Sequence, residues 1–156
     1  MLLTPLTFID TGRLQLRSRS PRRTARRREG ERVSMDLEVR SNEENGYLSI
    51  RVVGRYSLSE SRDLIHRVKE ESKNSGYQNV LLDTTGVAGT IPHLDLFELG
   101  VHCAEVWKAA FRVAVISRAG GINKFFEDVA ENRGARVLVA ADEEAAIQWL
   151  DGHHRK

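Results

Sequence analysis

Cysteine is nearly absent from this chain. Among 156 residues there is one, Cys103. That excludes an internal disulfide and any cysteine-cluster metal centre, and it favours a reducing, cytoplasmic compartment. Long apolar runs are missing as well. No stretch approaches the roughly 18–20 apolar residues that cross a bilayer, so no membrane span is expected. A secretory leader fits poorly, because Met1 to Ile9 is apolar with no basic residue ahead of it. His-x3-His does not occur, and His66, His93 and His102 have no short ligand spacing. They are read as solvated or hydrogen-bonded histidines rather than metal ligands. The closing His153 and His154 are read as part of a frayed end, residues 153–156. No cofactor is implied.

What is present divides unevenly. The formal net charge is +2. Residues 1–34 hold nine arginines against Asp10, Glu29 and Glu31, a balance of +6. That leaves 15 of the 24 basic and 19 of the 22 acidic residues to the remainder, a balance of −4. The stretch Arg17 to Arg28 has no apolar periodicity and reads as a disordered tail. Clustered arginine suits phosphate contacts in nucleic acid, and an Arg- and Ser-rich, acid-poor segment also suits a targeting peptide. The favoured expectation is a third one, that residues 1–34 lie outside the native protein. Met35 stands directly before the first strand-like segment, and Arg28-Glu29-Gly30-Glu31-Arg32 can be written in purine-rich codons like a translated ribosome-binding site. On that reading no nucleic-acid partner is expected.

Residues 35–152 read as one globular domain. Asp36 to Arg40 alternates polar and apolar, as a half-buried or edge strand does. Asn45-Gly46 supplies a hairpin turn, and Tyr47 to Val53 is the return strand. Ser57-Leu-Ser-Glu60 matches a capping box and opens a helix to about Lys73, closed by Asn74-Ser75-Gly76. Val80, Leu81 and Leu82 are apolar on both faces, which suits a central strand at 78–83. A second helix runs from Pro92 to Lys108. Its polar residues Asp95, Glu98, His102 and Glu105 form one narrow stripe, and nearly all the rest is apolar. A helix on one sheet face shows an apolar stripe of about 100° or a little more, so either the rest of the fold covers this one or a second subunit does. Phe111 to Ile116 is another buried strand. A third helix carrying Ile122, Phe125, Phe126 and Val129, a last strand at Arg136 to Ala140, and a helix capped by Asp142 complete the chain. Helices between the later strands imply right-handed crossovers and parallel pairing. The fold class is α/β: a single, mostly parallel open sheet of about five strands, with an antiparallel N-terminal hairpin and four helices packed on it.

Ligands of open α/β sheets sit beyond the C-terminal ends of the strands. Asp83, Thr84 and Thr85 fall there, read as a polar turn with Gly86, and so do Ser117 and Arg118, with His93 alongside. Gly120-Gly121 precedes a helix whose N–H groups suit an anion. The same residues equally suit local turn caps and a tight bend. A thiol enzyme built on Cys103 with His93 or His102 is disfavoured. His102 diverges from its neighbour by about 100° around the helix, and Cys103 lies among Leu96, Leu99 and Val106 as a small hydrophobe. Thr84, Thr85 and Thr90 are the hydroxyls open to a phospho-switch.

The run Leu82-Asp83-Thr84-Thr85-Gly86-Val87, then Leu96-Phe97-Glu98-Leu99-Gly100, resembles the SpoIIAA-like group of the STAS superfamily. So do Phe111 to Ile116, Phe125 to Val139, and Asp142 to Leu150. The resemblance covers roughly residues 36–151. It implies a small non-enzymatic module. Members of that group antagonise anti-sigma factors and are switched by serine phosphorylation at an Asp-Ser-Ser-Gly-like turn opening the second helix. Here that turn reads Ile91-Pro92-His93-Leu94, with no serine. Other members, similar to CRAL-TRIO lipid carriers, imply a small apolar ligand. The resulting expectation is a regulatory protein-interaction module working through the second helix (Leu96, Leu99, Cys103, Trp107) and the adjacent loops, with a protein partner or a homodimer. The alternative is a carrier or sensor of a small apolar ligand under that helix, and a small enzyme comes third.

Overall fold

A computed structural model describes residues 34–42 and 45–154; the expectations for the Arg-rich tail lie outside the described residues. Nine elements follow in order: β1 (Asp36–Asn42), β2 (Tyr47–Arg55), α1 (Leu58–Ser75), β3 (Asn79–Ala88), α2 (His93–Trp107), β4 (Arg112–Ile116), α3 (Lys124–Asn132), β5 (Arg136–Ala140) and α4 (Glu143–His154). The sheet order is β1-β2-β3-β4-β5, with β1 antiparallel to β2 and every later pair parallel. This is the mixed five-stranded sheet with four helices that the sequence implies.

The strand order decides where the helices go. Each parallel strand is added on the same side of the previous one, and right-handed crossovers then put each connecting helix on the same face. Accordingly α1, α2 and α3 share one large core with Leu48, Ile50, Val52, Val80, Leu82, Val113, Val115 and Val137. The opposite face of the sheet, through Leu81, Ala114, Ile116 and Ala140, packs on Ala146 and Leu150 of α4. The apolar runs of β3 and β4 serve both faces, which is why they do not alternate.

Being the middle helix of three explains α2. It shares the core with the sheet beneath it and packs against α1 and α3 at its sides, so most of its circumference is covered within one chain. Gly100 marks the closest approach to α3: a Cβ there would lie 2.7 Å from Val129 Cγ1 and 2.8 Å from its Cβ.

Two local readings need correction. The segment Asp83 to Gly86 is strand rather than turn. β3 continues to Ala88 because β2 is long enough to pair with it, Val53 opposite Gly86 and Arg55 opposite Ala88. The register shifts between Arg51 and Val53, where Asp83 Oδ1 accepts from the Thr85 amide at 2.9 Å and takes that donor out of the ladder. Gly86 permits the tight pairing, since a Cβ would sit 2.7 Å from Val53 Cγ1. The capping box is half formed. Ser57 Oγ accepts from the Glu60 amide at 3.3 Å, but the Glu60 carboxylate turns away and accepts from the Met35 amide at 2.6 Å.

Candidate functional site

Strand alternation splits the expected crevice. Neighbouring residues on a strand point to opposite faces, so Asp83 and Thr84 diverge although both sit mid-way along β3, beside the C-terminal end of β4. Thr84 is buried; its hydroxyl donates to the Ile116 carbonyl at 2.9 Å and ties the two strands together. It lines an apolar cavity of about 60 Å³ beneath α1 and α2, with Leu64, Ile65, Leu99, Cys103 and Trp107. Asp83 faces the other way, into a polar hollow of about 120 Å³ with Glu38, Arg40, Ser49, Arg51 and Glu143. Its carboxylate also accepts from the Thr85 hydroxyl at 2.7 Å. Thr85 is exposed.

The loops at 88–93 and 117–121 do come together, and Arg118 is what joins them. Its Nε donates to the Val87 carbonyl, Nη2 to the Gly89 carbonyl and Nη1 to the Ala119 carbonyl, each at 2.7 Å. The Ile91 amide donates back to the Gly120 carbonyl at 2.9 Å. Gly120 takes φ +84, a left-handed conformation that glycine adopts without strain. Gly121 bends so closely that a Cβ would lie 2.7 Å from Ser117 Oγ. Arg118 is therefore a strut with its guanidinium engaged on carbonyls, and the loop at Gly120-Gly121 makes a tight bend. The helix that follows starts at Lys124, and Asn123 Oδ1 accepts from the amides of Phe125 (3.1 Å) and Phe126 (3.3 Å), taking up two of its first N–H groups. His93 opens α2 and stacks on Phe125 with ring centroids 4.0 Å apart, which places it against α3 rather than beside Asp83.

The four residues read as an interaction face of α2 are inside. Leu96, Leu99, Cys103 and Trp107 are each 3 % exposed or less. Trp107 Nε1 donates to the Ile65 carbonyl of α1 at 2.9 Å. Burial pushes the Cys103 thiol well above its usual range, so it stays protonated and unreactive. The outward apolar residues of α2 are Leu94, 68 % exposed, and Phe97, 38 % exposed, with the Arg133 guanidinium 5.3 Å from the Phe97 ring centre. They lie in the first turns of α2, next to the loop it shares with the Arg118 strut.

The polar stripe of α2 has a partner that sequence reasoning misses. It meets a matching stripe on α1 and on the strand end before it. The Tyr56 hydroxyl donates to Asp95 Oδ2 at 2.8 Å, Arg62 pairs with Glu98 at 3.2 Å, and His66 Nε2 lies 3.2 Å from His102 Nε2. Desolvation, with the Asp95 hydrogen bond second, raises the Tyr56 phenol. Desolvation, with the His66 charge second, lowers the His102 imidazole. The signal is present in the spacing: 62 to 66 and 98 to 102 are both one helical turn, so two four-residue steps align side by side. On the far side of α2, the buried Glu127 of α3 pairs with Lys124 and accepts from the Val139 amide of β5 at 2.6 Å, fixing α3 to the sheet edge.

No family model and no curated protein matches the sequence. Among solved structures, the chain is similar to an anti-sigma factor antagonist from Mycobacterium paratuberculosis, with a TM-score of 0.52 and 13 % identity over 76 % of this chain and 95 % of that one. It also aligns with an uncharacterized DUF3478-family protein with a SpoIIAA-like fold from Shewanella loihica PV-4, at a TM-score of 0.46 and 22 % identity over 78 % and 97 % of the two chains. The sheet order, the three-helix face and the first of these likenesses define the fold: a mixed α/β domain of the kind seen in that anti-sigma factor antagonist. At such identity the likeness speaks for fold and leaves the task of the chain to its own residues.

Proposed function

We propose that this domain is a non-enzymatic regulatory module of STAS-like type that works in the cytoplasm by docking a protein partner on the outer first turns of α2 and the loops beside them. The observation that carries this reading is the exposure of Leu94 and Phe97 on a helix whose Leu96, Leu99, Cys103 and Trp107 are sealed. Two neighbouring apolar side chains on a rigid helix, set against loops cross-tied by Arg118, suit the apolar centre of a small interface. The similar anti-sigma factor antagonist makes a protein partner the natural class. Phosphate on the buried Thr84 would break its bond to Ile116, so a phospho-switch of this surface falls to Thr85 or Thr90, both exposed. Photo-crosslinking from position 97 in cells of the source organism tests the proposal. A discrete adduct with another protein is expected from position 97 and not from exposed Lys69 on α1; equal yields at both positions, or none, would refute it.

The apolar cavity supports a second reading, a carrier of a small apolar ligand. It lies under α2 as that reading requires. Its volume of about 60 Å³ is less than half of the roughly 150 Å³ engineered cavity that admits benzene. A ligand of lipid size therefore needs α1 and α2 to part. Native mass spectrometry separates the two: the regulatory reading predicts bare chain masses, the carrier reading an added small molecule. An enzyme has least support. The Cys103 thiol is held protonated, Arg118 is engaged on carbonyls, and Asp83 and Thr84 face opposite sides of the sheet.

A further inference from the structure

Away from that surface, the α1–α2 seam holds two imidazoles in an arrangement neither helix has alone. His66 and His102 are 36 residues apart, yet their Nε2 atoms are 3.2 Å apart and their ring centres 5.0 Å, at an interplanar angle of 68°. Two metal–nitrogen bonds of about 2.0–2.1 Å at a tetrahedral angle place their nitrogens about 3.3 Å apart. The observed spacing is that of a hydrogen bond between the two Nε2 atoms, and it is also close to that of a chelating pair; an ion enters when the bridging proton is held on a ring's Nδ1 instead. His66 is exposed and His102 half-buried, so small rotations of the rings about χ2 can turn both lone pairs on to one point on the solvent side of the seam. One turn earlier the Arg62–Glu98 pair spans the same two helices.

We propose that His66 and His102 together chelate a divalent transition ion of the zinc, nickel or copper class, clamping α1 to α2. Two neutral imidazoles select such ions over magnesium or calcium, which prefer oxygen. Among the described residues, no group of three or more His, Cys, Asp or Glu side chains is placed around one ion, so the remaining coordination positions belong to water. The site is a two-ligand clip with open positions, not a closed structural centre. Binding requires α1 and α2 to be docked, so the ion stabilises the folded chain over the unfolded one.

The test uses the whole chain with nickel chloride as the probe, following thermal melting with and without the ion and then with excess chelator. The parent chain is expected to melt several degrees higher with nickel and to return on chelation. His66→Asn and His102→Asn are each expected to lose that rise. His93→Asn and the double change His153→Asn, His154→Asn are expected to keep it. Either single variant at the seam suffices, with far-ultraviolet circular dichroism confirming its fold. No rise in the parent overturns the proposal. So does a rise that persists in His66→Asn and His102→Asn, or one that disappears with the terminal pair instead.

Discussion

On the inner side of α2, Leu96, Leu99, Cys103 and Trp107 are sealed in the core; on the outer side, Leu94 and Phe97 stand in solvent. Both sets are large apolar residues on one helix, and they differ only in which neighbour the fold puts against them. The inner set meets the sheet and α1. The flank at Gly100 meets α3. On the outer first turns Leu94 stays 68 % exposed, and Phe97, 38 % exposed, has the Arg133 guanidinium over its ring. Apolar composition alone therefore says little about place: a leucine is buried at 99 and exposed at 94.

That contrast can be broken at graded points along the helix. Leu99→Asp places a carboxylate in the core with no partner and is expected to cost about 4 kcal/mol or more, enough to unfold a marginally stable domain; equilibrium denaturation would read it as loss of the transition. Trp107→Phe removes the hydrogen bond to Ile65 and part of a buried side chain. It should lower stability by about 2 kcal/mol in the same experiment. Gly100→Ala gains helix propensity of about 1 kcal/mol but drives a methyl into Val129. A net loss of about 1 kcal/mol is expected, because overpacking costs about 1–3 kcal/mol and the propensity gain offsets about 1 kcal/mol of it. A melting temperature at or above the parent's would show that α2 and α3 are less closely packed than described. Leu94→Asp is expected to stay within about 0.5 kcal/mol of the parent, while removing any adduct formed from the outer face. If it destabilised the chain as Leu99→Asp does, the distinction between the two sides would collapse.

Much of this architecture is legible in the residues alone. Nine elements, the hairpin and the parallel crossovers follow from periods of two and 3.6, from Asn45-Gly46, and from Gly76 after α1. The face that α2 turns inward does not follow. A helix that is apolar over most of its circumference has no single direction to read, and only the strand order, which makes it the middle of three helices, settles it. Asp83 and Thr84 are hard to place for a related reason: as a turn they would share a site, as strand they cannot. Position in the chain singles out Arg118, but its carbonyl partners at 87 and 89 lie some 30 residues earlier, and such long-range partners leave no local pattern. His66 and His102 look independent in the sequence, because their meeting depends on the relative register of two helices.

The most direct test of the account is the adduct yield from a crosslinker at position 97 in a chain carrying Leu94→Asp, with the melting temperature recorded on the same sample. The account predicts a chain that melts close to the parent and forms no adduct. A chain that melts close to the parent and still forms the full adduct would show that the outer turns of α2 are not where the partner binds.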